Sequence, residues 1–152
     1  MNILVTGGAG YIGSHACKAL KACGYNPICF DSLITGWKDS VKFGPFVKGD
    51  LTKKSDVVKV FQKYKPSAVM HFAALTQVGQ STELPGLYWY NNVLGSLNLI
   101  QACVDFKCKN IVFSSTCATY GETVQGIVDE STPQSPVNAY GSSKRAVEDI
   151  LK

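Results

Sequence analysis

The chain has 152 residues, of which 45% are hydrophobic and 17% are charged, and its net charge is +4. This is one domain's worth of globular protein, and the composition excludes a disordered chain. Because no apolar run approaches the roughly 18 residues that a membrane helix needs, and no basic region precedes the short apolar start, we expect a cytoplasmic protein without membrane contact.

Short apolar runs alternate with helical patterns along the chain. Strands are predicted at residues 3–5, 28–30, 46–47, 68–73 and 111–113. Helices are predicted at residues 11–23, ended by Gly24; at 55–64, capped by Ser55 and stopped by Pro66; at about 85–106; and from 139 onward, after a Gly/Pro-rich loop at 121–137. This alternation predicts an α/β fold with a doubly wound parallel sheet, whose ligands collect beyond the carboxyl ends of the strands.

The predicted helix at 85–106 carries apolar residues at helical spacing. We expect these residues to form its buried stripe: Leu87, Val93, Leu94, Leu97, Ile100 and Val104.

The cysteines and the basic residues have plain interpretations. The six cysteines show no Cys-x-x-Cys spacing, so we expect reduced structural thiols and no metal site.

Eight of the fifteen basic residues lie between Lys38 and Lys65, but the chain holds a single arginine, Arg145. We therefore interpret the cluster as a solvated face and expect no nucleic-acid partner.

The first candidate site is a glycine-rich turn between the first strand and the first helix. It holds Gly7, Gly10 and Gly13 in the run Thr6-Gly-Gly-Ala-Gly-Tyr-Ile-Gly. Glycine allows a tight turn and a close approach of the backbone to phosphate, and the helix amino terminus attracts negative charge. With a strand before it and a helix after it, the turn predicts a dinucleotide cofactor.

Two later strand ends add cofactor candidates. Asp31 follows Gly13 by eighteen residues, where a carboxylate can accept hydrogen bonds from both ribose hydroxyls and repel a 2′-phosphate, which favours NAD over NADP. The alternative is that Asp31 caps the loop after it. Asp50 and Leu51, after the third strand, are predicted to bracket the adenine.

Tyr140 and Lys144 are four residues apart, so their side chains lie on one face of the last predicted helix. A nearby ammonium favours the phenolate form of a tyrosine, which then serves as a base. Thr116, or Ser115 beside it, can donate to the reacting oxygen and relay its proton. The competing interpretation is a half-buried tyrosine beside a solvated lysine. We interpret His71 as a core histidine, and Glu148 and Asp149 as exposed helix carboxylates.

With these residues in place, the chain resembles the N-terminal part of the extended short-chain dehydrogenase/reductases, and among them the sugar-nucleotide epimerases of the NAD-dependent epimerase/dehydratase family. The matching stretches span nearly the whole chain: Thr6-Gly-Gly-Ala-Gly-Tyr-Ile-Gly-Ser-His15, Asp31-Ser-Leu33, Gly49-Asp-Leu51, His71-Phe-Ala-Ala74, Val78-Gly79, Asn91-Asn-Val93, Phe113-Ser-Ser-Thr-Cys-Ala-Thr-Tyr-Gly121 and Asn138-Ala-Tyr-Gly-Ser-Ser-Lys144.

The resemblance implies an isomerase with tightly held NAD and a UDP-hexose substrate. Tyr140 would take the proton of the C4 hydroxyl while hydride passes to the nicotinamide, and the 4-keto sugar would receive it on the other face. Thr116 and Tyr140 correspond to the substrate-contacting catalytic pair, and Lys144 to the lysine that orients the ribose and favours the phenolate. The cofactor contacts that carry over are Tyr11, Ile12, Asp31, Ser32, Leu33, Ile34, Thr35, Gly36, Asp50, Leu51, Phe72, Ala73, Ala74, Asn91 and Lys144.

The chain also departs from the family pattern. Thr76 stands where many epimerases have a lysine, and Gln80 replaces a common glutamate. Because related enzymes are about twice as long, we expect residues 1–152 to be a truncated NAD-binding Rossmann domain without the substrate domain. The resemblance further suggests a homodimer through the helices that contain Trp89 and Tyr140.

Three other functions compete with C4 epimerisation of UDP-glucose or UDP-galactose. A dehydratase would need Asp-Glu where this chain has Cys117-Ala118, so that interpretation fails on chemistry. An epimerase or decarboxylase for another UDP-sugar differs in a pocket beyond residue 152. A non-catalytic NAD-binding module would need the cofactor residues alone.

Overall fold

The computed structural model describes residues 1–122 and 127–152. Its five strands are β1 (Asn2–Thr6), β2 (Asn26–Asp31), β3 (Phe46–Lys48), β4 (Ala68–His71) and β5 (Asn110–Phe113). They form one parallel sheet in the order β3-β2-β1-β4-β5, in which Leu4 pairs with Ile28 on one side and Val69 on the other. The predicted parallel α/β sheet is thus confirmed, with β1 at its centre.

Helices occupy most of the intervening chain. They are α1 (Tyr11–Ala22), α2 (Lys54–Tyr64), α3 (Val78–Glu83), α4 (Pro85–Tyr88), a π-helical segment (Trp89–Leu94), α5 (Gly95–Asp105) and α6 (Ala139–Leu151), with 3₁₀ turns at Lys38–Ser40 and Cys117–Thr119. None of the helices found in residues 1–122 and 127–152 is long and apolar enough to cross a bilayer. Of the loop predicted at 121–137, residues 123–126 lie outside the described residues.

The chain divides into two compact units. Residues 1–74 and 98–114 form the first, which we call the sheet unit because it holds all five strands. Residues 75–97 and 115–152 form the second, the helical unit, which contains α3, α4, the π-helical segment, the turn Cys117–Thr119 and α6.

The sheet unit is held together by apolar side chains on both faces of the sheet. Side chains alternate between faces along a strand, so Leu4 joins one cluster while Ile3 and Val5 join the other. The larger cluster packs strand residues against α2 and the end of α5; its members are Leu4, Ile28, Phe30, Leu51, Val57, Val60, Phe61, Val69, Leu99, Ala102, Cys103 and Cys108. The smaller one packs α1 and the loops on the opposite face through Ile3, Val5, Ala9, Cys17 and Cys29.

All six cysteines are free, and two of them, Cys23 and Cys117, are exposed. Cys17, Cys29, Cys103 and Cys108 are buried, and burial raises the pKa of the Cys17 thiol to about 11 and those of Cys29 and Cys103 to about 12. Such thiols stay protonated at neutral pH and act as small apolar side chains.

The predicted helix at 85–106 is confirmed in its extent, since helical segments follow one another from Pro85 to Asp105, but its regularity and its buried face were predicted wrongly. Its residues form α4, the π-helical segment and α5 instead of one regular helix. The buried positions along these elements are Tyr88, Asn92, Gly95, Ser96, Leu99, Ala102 and Cys103, whereas Leu87, Leu97 and Val104 of the predicted stripe are exposed. The face that packs is therefore built largely from polar and small side chains, which a search for apolar periodicity does not detect.

The predicted cap of α2 is also wrong. Ser55 is the second residue of the helix, and Lys53 occupies the capping position. Among the described residues no side chain caps this helix end, and Asp56 of the first turn instead accepts through Oδ2 from the backbone N–H of Asp50, before the helix, at 3.2 Å. The predicted stop is confirmed, because Lys65 adopts a left-handed conformation (φ 45°) directly before Pro66.

Phe61 is expected to be a main support of the sheet unit, since it is fully buried and its ring lies 5.5 Å from that of Phe106. The substitution Phe61→Ala should lower the free energy of unfolding by about 3–5 kcal/mol, through lost burial and the cavity it leaves. Val104→Ala, at a position 67% exposed, is the control and should change it by less than about 0.5 kcal/mol. Urea unfolding followed by circular dichroism measures both, and equal effects would contradict this packing.

Candidate active site

The glycine turn lies at the carboxyl end of β1, where only glycine fits. Gly7 has φ 69°, and a Cβ at this position would lie 2.7 Å from the backbone nitrogen of Ala73. A Cβ on Gly13 would lie 2.1 Å from the carbonyl oxygen of Gly7. The turn is closed by the N–H of Gly10, which donates to the Gly7 carbonyl at 3.0 Å. Two glycines thus let β1, the segment after β4 and the start of α1 approach one another closely.

The amino end of α1 follows directly from this turn. Its capping residue is Gly10, and within the described part of the chain no side chain caps the helix. The first-turn residues Tyr11 and Ile12 are exposed, Tyr11 to 82%. The helix dipole and the unpaired N–H groups of the first turn give this end a partial positive charge. A close backbone approach and a partial positive charge are both what a pyrophosphate site requires, and this role of the turn stays a prediction.

Asp31 ends β2 and organises the loop behind the glycine turn. Its carboxylate is buried and accepts from the N–H of Ala9 at 3.0 Å and from the N–H of Leu33 at 2.8 Å. The capping interpretation is therefore present in the structure. Each carboxylate oxygen has a second lone pair, so a role toward ribose hydroxyls is compatible with this contact and stays a prediction.

Asp50 and Leu51 both make contacts within the fold itself. Oδ1 of Asp50 accepts from the N–H and the hydroxyl of Thr52, at 2.9 and 2.8 Å, and Leu51 is buried in the larger core cluster. The predicted bracketing of adenine by this pair remains a prediction.

The other cofactor candidates of the sheet unit follow two strand ends. Ser32, Leu33, Ile34, Thr35 and Gly36 follow β2, and Phe72, Ala73 and Ala74 follow β4. Leu33 has φ 64°, and Ile34 is exposed. His71, which ends β4, is buried and hydrogen-bonded to the hydroxyl of Thr6 at 2.6 Å, so its interpretation as a core histidine is confirmed.

The helical unit contains the remaining candidates, Asn91, Thr116, Tyr140 and Lys144. Helix α6 begins at Ala139, where Oδ1 of Asn138 accepts from the N–H of Gly141 at 2.8 Å. This cap fixes the first turn, which carries Tyr140. The Tyr140 side chain is buried (9% exposed), with its ring edge-on to that of Tyr88 at 6.5 Å.

Lys144 is also buried, with 3% of the residue exposed. Burial disfavours the charged form and lowers the pKa of its ammonium to about 8, while the negative charge of Glu148 opposes this shift. The competing interpretation of a solvated lysine is therefore wrong. A buried lysine one helical turn from a tyrosine is an arrangement typical of proton-transfer sites.

Thr116 caps the short turn that packs on α6. Its Oγ1 accepts from the N–H of Ala118 at 3.2 Å. A Cβ on Gly141 would lie 2.4 Å from the Ala118 carbonyl oxygen, so a glycine in α6 is what allows the turn to approach the helix. The structure thus brings Thr116 and the turn Cys117–Thr119, together called the hydroxyl turn, onto the helix of Tyr140 and Lys144 within one unit.

Sequence reasoning missed Asn92, which ties the helical unit together. Its Nδ2 donates to the Leu75 carbonyl at 3.0 Å and to the Ser143 hydroxyl at 3.1 Å, and its Oδ1 accepts from the N–H of Leu75 at 2.8 Å. Oδ1 also accepts from Nδ2 of the candidate Asn91 at 2.9 Å. The π-helical segment around Asn92 is the type of irregularity found often at functional sites, but sequence gives no reliable signal for it.

Glu148 was also misjudged, since it is half-buried and hydrogen-bonded. Its carboxylate accepts from the hydroxyl of Ser115 and from Nε2 of Gln134. Asp149, in contrast, is exposed as predicted.

Comparison with known proteins covers nearly the whole chain. The NAD dependent epimerase/dehydratase family matches residues 3–152. UDP-glucose 4-epimerase of Rhizobium meliloti is 46% identical over 151 residues, which are 99% of this chain and 46% of that protein. The chain therefore spans about half the length of this curated relative.

Two solved structures match closely in fold. UDP-glucose 4-epimerase from Brucella ovis, in complex with NAD, has a TM-score of 0.96 and 45% identity, over 99% of this chain and 46% of that one. The Thermotoga maritima UDP-glucose 4-epimerase with UDP-glucose has a TM-score of 0.95 and 34% identity, over 99% of this chain and 50% of that one.

The burial of Lys144 leads to a pH-dependent prediction. Between about pH 8 and 10.5 the folded chain has lost the Lys144 proton while the unfolded chain keeps it, so this residue's contribution to stability improves as the pH rises through that window. The free energy of unfolding of the parent minus that of Lys144→Met should therefore rise by about 3 kcal/mol from pH 7 to pH 10.5.

Denaturant unfolding at a series of pH values measures this difference. Other groups, including the buried thiols, are common to both proteins and cancel. Lys59→Met, which removes an exposed lysine from α2, controls for the loss of one positive charge. A difference that stays constant from pH 7 to 10.5 would contradict a buried, readily deprotonated Lys144.

Proposed function

We propose that this chain, which belongs to the NAD dependent epimerase/dehydratase family, supplies the NAD-binding and proton-transfer residues of a UDP-glucose 4-epimerase. The reaction interconverts UDP-glucose and UDP-galactose by oxidation at C4 of the hexose and reduction from the opposite face. The single observation that carries the proposal is the burial of Lys144 one helical turn from Tyr140. The NAD-bound and UDP-glucose-bound relatives support it.

The sheet unit contains residues that fit NAD. The backbone around Gly7, Gly10 and Gly13 and the amino end of α1 would hold the pyrophosphate. The carboxylate of Asp31, in addition to its contacts with Ala9 and Leu33, would accept from the adenosine ribose and disfavour a 2′-phosphate. When bound, NAD supplies a hydride acceptor and donor for the sugar carbon.

The helical unit would contain the groups that accept and return the proton of the sugar hydroxyl. With NAD bound as the hydride acceptor, Tyr140, as phenolate, would accept the proton of the C4 hydroxyl, and the hexose would become a 4-keto sugar. Thr116 holds the reacting oxygen by a hydrogen bond from its hydroxyl, and the Lys144 ammonium stabilises the phenolate electrostatically. Return of hydride to the other face, with return of the proton from Tyr140, gives the epimer and restores each group.

Two alternatives use the same residues differently. An epimerase or decarboxylase for another UDP-sugar would keep the NAD site and the Tyr140 chemistry. A non-catalytic NAD-binding module would keep only the sheet-unit residues. A cytoplasmic location, a role in galactose metabolism and pairing into a homodimer also stay predictions.

The glycine turn gives a direct test of cofactor binding. At NAD concentrations near 100 times Kd, binding should raise the melting temperature of the parent by about 5–10 °C. Gly13→Ala should abolish this rise, because its Cβ would collide with the Gly7 carbonyl. Gly79→Ala is the matched control, since a Cβ there meets no atom within 4 Å among the described residues. A Gly13→Ala variant that is stabilised by NAD as strongly as the parent would remove the turn from the cofactor site.

Tyr140 is tested by reduction of bound NAD on addition of UDP-glucose, followed as absorbance at 340 nm. Tyr140→Phe should slow this reduction by at least about 100-fold, the contribution typical of a general base, while NAD binding is kept. Tyr90→Phe, which deletes the same hydroxyl at an exposed position, should react as the parent does. If NAD binds and no UDP-sugar reduces it, the chain is a binding module. If Tyr140→Phe matches the parent rate, Tyr140 is not the base.

A further inference from the structure

Glu148 lies one helical turn after Lys144 on α6, and each of its two carboxylate oxygens accepts a hydrogen bond. Oε1 accepts from the hydroxyl of Ser115, and Oε2 accepts from Nε2 of Gln134 at 2.7 Å. Building on the proposed function, we propose that Glu148 is a positioning residue: it fixes the hydroxyl turn at Thr116 onto the helix that carries Tyr140 and Lys144.

Ser115 lies at the amino end of the hydroxyl turn. It directly precedes Thr116, whose side chain caps the turn Cys117–Thr119. The turn is therefore fixed to α6 at two points, at one end by the bond from Ser115 to Glu148 and at the other by the contact of Ala118 with Gly141. Between these points the backbone of Thr116 has little freedom, so the contact through Glu148 sets where its hydroxyl lies relative to α6.

Glu148 also contacts Gln134, which belongs to the segment before α6. Its carbonyl oxygen accepts from NH1 of Arg145 at 2.9 Å, while its side chain donates to Glu148. Arg145 thus binds the backbone of Gln134, and Glu148 binds its side chain. Glu148 joins two segments that lie 33 and 14 residues away in sequence.

Glu148 also acts electrostatically on Lys144. Burial lowers the pKa of Lys144 to about 8, and the negative charge of Glu148 acts against this loss of the ammonium form. On α6 itself, Tyr140 shares the face of Lys144 by helical spacing. Four titratable side chains belong to the other elements that pack on α6, namely buried Tyr88, whose ring meets Tyr140, and exposed Glu83, Tyr90 and Cys117.

Glu148 therefore has two effects that a purely structural residue would not combine. It orients the hydroxyl turn through hydrogen bonds, and it helps keep the neighbouring ammonium charged. A substitution that removes the charge while keeping the size of the side chain separates these effects from simple loss of packing.

Glu148→Gln is that substitution, and Asp149→Asn is its matched control. Asp149 is the next residue, carries the same charge, and is exposed with a surface ion pair to Lys152 at 2.9 Å. The ammonium of Lys144 should titrate near pH 8 in the parent and in Asp149→Asn, and at a lower pH in Glu148→Gln. Nuclear magnetic resonance of lysine labelled at the ε-carbon measures all three without any turnover, with Lys144→Met to assign the signal.

A second variant isolates the hydrogen bonds. Ser115→Ala leaves the charge of Glu148 in place, so it should shift the backbone amide signals of Thr116, Ala118 and Thr119 and leave the Lys144 titration unchanged. In the NAD reduction assay with UDP-glucose, Glu148→Gln and Ser115→Ala should each slow the reaction by at least about tenfold, with NAD binding kept. Asp149→Asn should react at the parent rate.

The outcomes separate this proposal from the proposed function. If no UDP-sugar reduces NAD in the parent, the proposed function fails, and the titration and amide signals still decide the role of Glu148. The proposal is overturned if Lys144 titrates at the same pH in the parent and in Glu148→Gln. It is also overturned if Ser115→Ala leaves the backbone amide signals of Thr116, Ala118 and Thr119 unchanged.

Discussion

The proposed chemistry of this chain depends on a lysine ammonium held in the protein interior. Lys144 is almost completely buried on α6, and its pKa falls to about 8 because burial disfavours its charge. Removing a charged group from water is unfavourable, and a buried charge persists where neighbouring groups compensate it. Glu148 on the next turn supplies part of that compensation. A buried ammonium whose pKa is close to neutral pH, one turn from Tyr140, is suited to proton transfer. Its burial does not favour the stability of the fold.

A second constraint, steric in origin, governs the sheet unit. At Gly7 and Gly13 the backbone approaches other backbone atoms so closely that any side chain would collide, and the amino end of α1 follows at once. Close backbone approach is what a phosphate-binding turn requires, because N–H groups rather than side chains meet the anion. The same device recurs in the helical unit, where Gly141 lets the turn at Ala118 approach α6.

Sequence reasoning succeeded where local patterns determine structure. Apolar runs located all five strands of the sheet, the glycine turn lies where its spacing placed it, and Lys144 lies one turn after Tyr140 on a real helix. It failed where packing is made by polar or small residues: Asn92 and Ser96 occupy the buried face between Tyr88 and Leu99, while apolar Leu97 and Val104 are exposed. Glu148 was missed for a related reason, since its partners are distant in sequence and nothing local distinguishes it from Asp149.

The most direct test of the central claim, that this chain transfers hydride between NAD and a sugar carbon, is an isotope transfer. The NAD-saturated chain is mixed with UDP-glucose that carries deuterium at C4 of the hexose, and the cofactor is released and weighed by mass spectrometry. The account predicts reduced cofactor that contains the deuterium. Deuterium found at C4 of newly formed UDP-galactose would equally support it, because the same hydride returns to the sugar. A folded, NAD-loaded chain that gives neither deuterated reduced cofactor nor deuterated UDP-galactose would contradict it.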